Sequence, residues 1–278
     1  MLRWLVDMGA DEAVDDAPID RYAASATPAA ALTSFDQAVL PPANAPVPRP
    51  ASPPPPAALV VAPRAKVAIE SPQLVADARA LATACNTVEE LEHAIRGFDG
   101  CALKRTARTT VFAEGPADAP VLVIGEAPGA DEDRLGKPFV GVSGQLLDRM
   151  FATIGYSRRE NLRITNVIFW RPPGNRTPTP GETAICVAFT HRHIELVRPR
   201  VLVLAGAVPV RTMLDTTEGI TKLRGRWTSY ALGDGTSVPV LPTFHPAYLL
   251  RTPGSKRQSW RDLLLLQERL EQLSVASS

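Results

Sequence analysis

Val121-Leu122-Val123-Ile124-Gly125-Glu126-Ala127-Pro128-Gly129 is the stretch from which the rest of the chain can be ordered. Four β-favouring aliphatics stopping at Gly-Glu read as a strand buried on both faces, as parallel sheets require, and open α/β sheets place their ligand sites in the loops leaving such strands. Ala130-Asp131-Glu132-Asp133 and Gly136-Lys137-Pro138-Phe139-Val140-Gly141 follow directly. Proline and closely spaced glycines make this a tight, shaped loop holding carboxylates and an aromatic, and so a candidate active site. The plainer alternative is a strand-to-helix turn whose acids are merely solvated.

Outward from this loop, strands are expected at Arg163-Ile164-Thr165-Asn166-Val167, at Val201-Leu202-Val203-Leu204 before Ala205-Gly206, and at Val238-Pro239-Val240-Leu241. Helical patterns fall between them: one capped by Ser143 with Leu146, Leu147, Met150 and Ile154 inward, one from about Glu182 to Leu196, a short one through Met213, and a closing helix from Asp262 to Leu273. Phe169 to Arg176 is too rich in proline for regular structure. Two further helices precede the first strand, one opening at Ser71-Pro72 and one at the capping-box pattern Thr87-Val88-Glu89-Glu90. Strands alternating with helices predict an α/β domain with a mostly parallel sheet covered on both faces. The domain is expected over 67–278. Residues 17–66 form a Pro/Ala-rich linker that cannot bury enough surface to fold and is expected to be disordered. Residues 1–16, with Leu2, Trp4, Leu5 and Met8 ahead of Asp11-Glu12 and Asp15-Asp16, read as a short amphipathic helix suited to a protein partner.

The chain has a formal net charge of +1. The first 66 residues hold five basic groups against seven acids, which leaves 25 against 22 in the remainder, a mild bias towards an anionic partner. Cys85, Cys101 and Cys186 make no disulfide framework. With no leader pattern and no apolar run of membrane length, a cytoplasmic protein is expected. No Gly-x-Gly-x-x-Gly follows any strand, which excludes the usual dinucleotide-binding reading.

Four pieces in order, Gly-Glu-Ala-Pro-Gly (125–129), Gly-Lys-Pro-Phe-Val-Gly (136–141), Ile-Thr-Asn (164–166) and His-Pro-Ala-Tyr-Leu-Leu-Arg (245–251), resemble family 4 of the uracil-DNA glycosylases, and the resemblance spans roughly Phe98 to Leu270. It implies a three-layer α/β/α sandwich, a monomer, and an enzyme of DNA repair that flips uracil out of DNA and cleaves its N-glycosidic bond. That reaction needs a flipped nucleotide held, the uracil edge read, the departing base anion stabilised and water presented to a cationic sugar. The resemblance gives Phe139 the stacking face, Asn166 the amide that reads the edge and His245 the donor to the base as charge builds. Gly125, Ala127, Pro128 and Gly129 would line the base pocket. Glu126 and Glu132 are both candidates to orient water. Arg251, Lys256 and Arg224, which bracket His245, are candidates for phosphate contacts.

The same resemblance carries an expectation that this chain fails to meet. The family typically holds a [4Fe-4S] cluster on four cysteines, and the corresponding positions here are Phe98, Cys101, Trp170 and Cys186. Two of these side chains cannot ligate iron. The cluster is therefore expected to be absent, with no metal and no other cofactor required, and packed aromatics in its place. A non-catalytic DNA-binding or partner-recruiting paralogue of the same fold is the alternative, and the presence of Phe139, Asn166 and His245 together speaks against it. A third possibility, a relative trapped covalently on DNA through a histidine in an inserted basic loop, is disfavoured because no such insertion lies between Trp170 and Glu182.

Overall fold

Residues 72–275 are described by the structure, a computed structural model. The expected N-terminal helix and linker lie outside them. Helices α1 (Pro72–Ala84) and α2 (Val88–Gly97) come first. Strand β1 (Ala113–Glu114), strand β2 (Val121–Gly125), helices α3 (Ala130–Leu135) and α4 (Val142–Ala152) and strand β3 (Leu162–Asn166) follow. Helix α5 (Pro180–Val197) leads to β4 (Val201–Ala205), α6 (Ala207–Leu214) and α7 (Ile220–Leu223). The chain ends with β5 (Thr228–Ala231), β6 (Ser237–Thr243), α8 (Pro246–Arg251) and α9 (Lys256–Val275).

The strands form one sheet in the order β1-β3-β2-β4-β6-β5. The inner four run parallel, and β1 and β5 close the two edges antiparallel. The edge strands were not anticipated, because Ala113–Glu114 spans only two residues and Thr228–Ala231 is largely exposed, so neither carries an apolar signature. Period-2 alternation divides the inner strands between two cores. Leu122, Ile124, Leu202 and Leu204 face the layer made by α1, α2, α5 and α6. Val121, Val123, Val201 and Val203 face Leu147 and Phe151 of α4 and Leu263, Leu266 and Leu270 of α9. The architecture is the expected three-layer sandwich.

Four local expectations are corrected. Helix α4 is capped by Gly141 and starts at Val142, so Ser143 lies inside the first turn and does not cap it. The Thr87 hydroxyl does accept from Glu90 N–H, but the Glu90 carboxylate reaches back to Asn86 N–H and not to Thr87. The acidic stretch after Gly129 is a short helix, α3, where a loop was expected, and Pro173–Asn175 makes a 3₁₀ turn in the proline-rich segment.

On β3 the alternation buries two polar residues among the aromatics. Thr165 Oγ1 donates to Phe112 O at 2.7 Å, and Arg163 Nε donates to His193 Nε2 at 2.8 Å. The Arg163 Nη1 group donates to Gly115 O, which ties the edge strand down. Burial lowers the His193 pKa well below its ordinary value, so the ring is the neutral acceptor this bond needs.

Candidate active site

The parallel register brings the separated motifs together. Gly125 pairs with Asn166 across β2 and β3, and Ala205 pairs with Thr243 across β4 and β6, so all four strands deliver their next residues to one edge. Strand β3 lies on one side of β2 and β4 on the other, which makes this edge a topological switch point. There a cleft of about 640 Å³ opens, lined by Glu126 to Gly129, Glu132, Phe139, Asn166, Gly206, Phe244, His245, Tyr248 and Arg251 among others.

Asn166 forms the buried floor. It is 1% exposed, and its Oδ1 has no hydrogen-bond partner among the described residues. A buried unpaired acceptor costs about 1 to 3 kcal/mol, and because Asn166 lines the cleft its amide is a candidate to meet a donor brought by a ligand. Gly125 makes room for it: a Cβ there would stand 2.5 Å from Asn166 Oδ1 and 2.4 Å from Phe139 Cζ. Gly125 thus acts from behind the amide and the ring.

Phe139 is buried and takes the left-handed backbone region at φ 54°, which is unfavourable for a side chain bearing a Cβ. Its ring lies 5.4 Å from the His245 imidazole, centre to centre, with the planes 31° apart. Its carbonyl presses on Gly144, where a Cβ would come within 1.9 Å of the oxygen.

His245 is the N-cap of α8, and its Nδ1 accepts from Ala247 N–H at 3.1 Å. In the neutral ring this assigns the proton to Nε2. Burial, helped by the positive charge of Arg251 and opposed by Glu132, pushes the His245 pKa down to about 4. The ring is a neutral N–H donor across the physiological range. Gly206, at φ 108°, lets the β4 end approach it closely, since a Cβ there would stand 3.1 Å from His245 Cβ.

The two candidate acids are placed differently. Glu132 is buried, its Oε1 accepting from Val140 N–H and Gly141 N–H at 2.9 Å each and its Oε2 from Gly129 N–H at 3.1 Å. It staples both ends of the loop together, and its lone pairs are largely committed. Glu126 makes no side-chain hydrogen bond among the described residues, and burial raises its pKa. Of the pair, only Glu126 retains a carboxylate available to a water.

The basic candidates also separate. Arg251 lines the cleft and is exposed. Lys256 lies outside it, in a separate groove with Met150, Leu249 and Trp260. Arg224 faces inward: its Nε donates to Asp262 Oδ2 at 3.0 Å, its Nη2 to Asp262 Oδ1 and to Gln258 O, and its guanidinium stacks 5.6 Å from the Phe244 ring. Sequence reasoning missed Gly206 and Tyr248 as lining residues. Gly206 carries the same signal as Gly125, a glycine directly after a buried apolar strand.

At the positions corresponding to cluster ligands, Phe98 packs edge-on against Phe189 at 5.3 Å. Trp170 is fully buried and donates its indole N–H to Thr110 Oγ1 at 3.0 Å. Cys101 and Cys186 are buried in the same core, and neither is in a disulfide. The side chains at these positions do not fit a four-thiolate cluster, since two of them have no ligand atom to offer iron.

An aromatic ring, a buried amide with an unpaired acceptor among the described residues, a neutral imidazole and a desolvated carboxylate around one cleft make an arrangement chemically suited to a flat, polar-edged ring on which negative charge develops. The model of the uracil DNA glycosylase superfamily matches residues 112–265, and the chain belongs to that superfamily. Among its relatives are the type-4 uracil-DNA glycosylases of Thermotoga maritima, 39% identical over 61% of this chain and 86% of the relative, and of Saccharolobus solfataricus, 36% identical over 63% and 83%. That of Pyrobaculum aerophilum is 32% identical over 64% and 92%.

Proposed function

We propose that the protein is a monofunctional uracil-DNA glycosylase of DNA repair, which hydrolyses the bond between uracil and deoxyribose and leaves an abasic site. The observation that supports the reading best is the buried Asn166 amide, which lines the same cleft as Phe139 and His245 and whose Oδ1 has no hydrogen-bond partner among the described residues. Uracil offers a donor at N3–H that suits this acceptor, while its O4 suits the amide N–H₂. Cytosine, with an acceptor at N3 and a donor at C4, would leave both pairings mismatched.

The geometry supports the following residue roles. Phe139 stacks on the flipped base. His245, neutral, donates its Nε2–H to O2 as the C1′–N1 bond breaks and the base leaves as an anion, so no proton need be transferred to the base in that step. Glu126, as the carboxylate, balances the sugar cation and orients the water that adds to C1′, taking up the proton released. Glu132 holds the loop in shape around the base. Arg251, at the rim, contacts a DNA phosphate; Lys256 and Arg224 are weaker candidates, the latter because its charge is matched by Asp262.

On this reading the partner is uracil-containing DNA, residues 67–278 carry the activity, and the protein works as a monomer in the cytoplasm, with residues 1–16 left for a protein partner. Among the described residues no helix is long and apolar enough to cross a membrane. The aromatic block of Phe98 and Trp170 replaces the iron–sulfur cluster. Incubation with a single-uracil oligonucleotide, followed by alkali cleavage at abasic sites, tests the reading. Strand scission at the uracil position is expected, and an intact strand would refute it.

A further inference from the structure

We infer that Arg158 is a positioning residue for the reaction, holding the Phe139 stacking face in its left-handed backbone conformation without touching the substrate. The inference rests on the glycosylase reading of the cleft. Arg158 lies in the turn between α4 and β3, and its side chain is only 14% exposed. Every guanidinium N–H is used. Nη1 donates to Pro138 O at 2.9 Å and Nη2 to Phe139 O at 2.8 Å. The remaining bonds go to Asp148 Oδ1, at 2.9 Å from Nε and 2.8 Å from Nη2, and to Glu114 Oε2 at 2.7 Å from Nη1. Two carboxylates from the scaffold, one on helix α4 and one on edge strand β1, thus fix and neutralise a planar fork whose other bonds grip successive carbonyls of the active-site loop.

Those two carbonyls flank the strained residue. At φ 54° Phe139 occupies a region that an aromatic residue enters only when its surroundings hold it there. Arg158 supplies the attractive half of that constraint at the carbonyl oxygen. Gly144 supplies the steric half, because nothing larger than hydrogen fits at 1.9 Å from that oxygen. The consequence is felt at the ring, which is set against Gly125, Asn166 and His245 where a flipped base would stack. A lysine could keep the charge between Glu114 and Asp148 but cannot span both carbonyls with a rigid fork.

The test is a double-mutant cycle read by single-turnover uracil release at saturating enzyme, with thermal melting and affinity for an oligonucleotide carrying a tetrahydrofuran abasic-site analogue measured alongside. Arg158→Lys is expected to slow release at least tenfold while affinity for the abasic analogue, which has no base to stack, stays within twofold. In the Phe139→Ala background the same substitution should change the rate less than twofold, since the ring it positions is gone. Glu114→Gln, which leaves both carbonyl bonds in place, should stay within threefold of wild type. An equal loss in both backgrounds, a rate unaffected by Arg158→Lys, or an Arg158→Lys protein that does not fold would each overturn the assignment. No uracil release by the wild-type protein would instead overturn the activity on which it rests.

Discussion

The aromatic block under α1, α2 and α5 and the cleft at the ends of β2, β3, β4 and β6 are built on the same sheet, yet they treat their polar groups in opposite ways. In the block, Trp170 N–H is matched to Thr110 and the Thr190 hydroxyl to Val167 O and Cys186 O, with His193 Nδ1 the exception. In the cleft, among the described residues, the Asn166 acceptor is unpaired, Glu126 is desolvated without a side-chain partner and Phe139 is held at positive φ. Burial in the block lowers the free energy of the folded chain. Burial in the cleft raises it, and what is stored there becomes available to a ligand with complementary groups. The comparison separates variants that should lose stability from variants that should lose rate.

The largest stability effect is expected at Trp170. Replacing it with Ala removes a fully buried ring and strands the Thr110 hydroxyl, costing about 3 to 5 kcal/mol in denaturant unfolding, while the rate per folded molecule remains near wild type. A comparable loss of rate would mean that the block shapes the cleft. Iron analysis of anaerobically purified protein sharpens the same point: no stoichiometric iron and no broad visible absorbance are expected, and four irons per chain would require ligands other than Phe98 and Trp170.

His245→Ala reverses the pattern. A donor to the developing anion is worth on the order of 3 kcal/mol, so single-turnover release should fall roughly a hundredfold or more, while loss of the α8 cap should lower stability by only about 0.5 to 2 kcal/mol. An unchanged rate would show that another group stabilises the leaving base.

A smaller effect is expected from pH. Burial raises the Glu126 pKa above the ordinary carboxylate value, and His245 is pushed down to about 4. With Glu126 proposed to act as the anion, the rate should rise with pH through its raised pKa; with His245 proposed to act as the neutral ring, it should limit the rate only below about pH 4. On that proposal the acid limb of kcat/KM is expected to be that of Glu126. In Glu126→Gln the residual rate should be lower, and the limb should move down towards pH 4. A limb left in place would assign the titration to a different group.

How much of this was readable before the fold was known depends on the range of each interaction. Strand β2 and its loop were legible because a buried parallel strand is apolar at every position, and Gly125 marks its end. Phe139, Asn166 and His245 were found through motifs, but their convergence depends on the parallel register, which no local pattern reveals. Glu126 and Glu132 looked alike as acids in one loop. Only the backbone N–H groups folded around Glu132 tell them apart. Arg224 and Arg158 were not readable for the same reason, since their partners Asp262 and Asp148 lie 38 and 10 residues away along the chain.

The smallest effect is the most direct probe of the contrast between block and cleft. In a packed core, trimming a buried side chain to Ala leaves a void and destabilises. Asn166 is as buried as the core residues around it, at 1% exposure, but among the described residues no donor reaches its Oδ1. Removing that acceptor relieves its desolvation cost, about 1 to 3 kcal/mol, which offsets the dispersion attraction that the small amide provides. Asn166→Ala should therefore melt within about 1 kcal/mol of wild type, or slightly above it, while uracil release collapses. Thr190→Ala, which removes a polar group already satisfied in the block, should be measurably less stable and keep its rate. If Asn166→Ala proves the more destabilised of the two, the amide is holding the floor together, and the unpaired acceptor is no store of binding energy for the base.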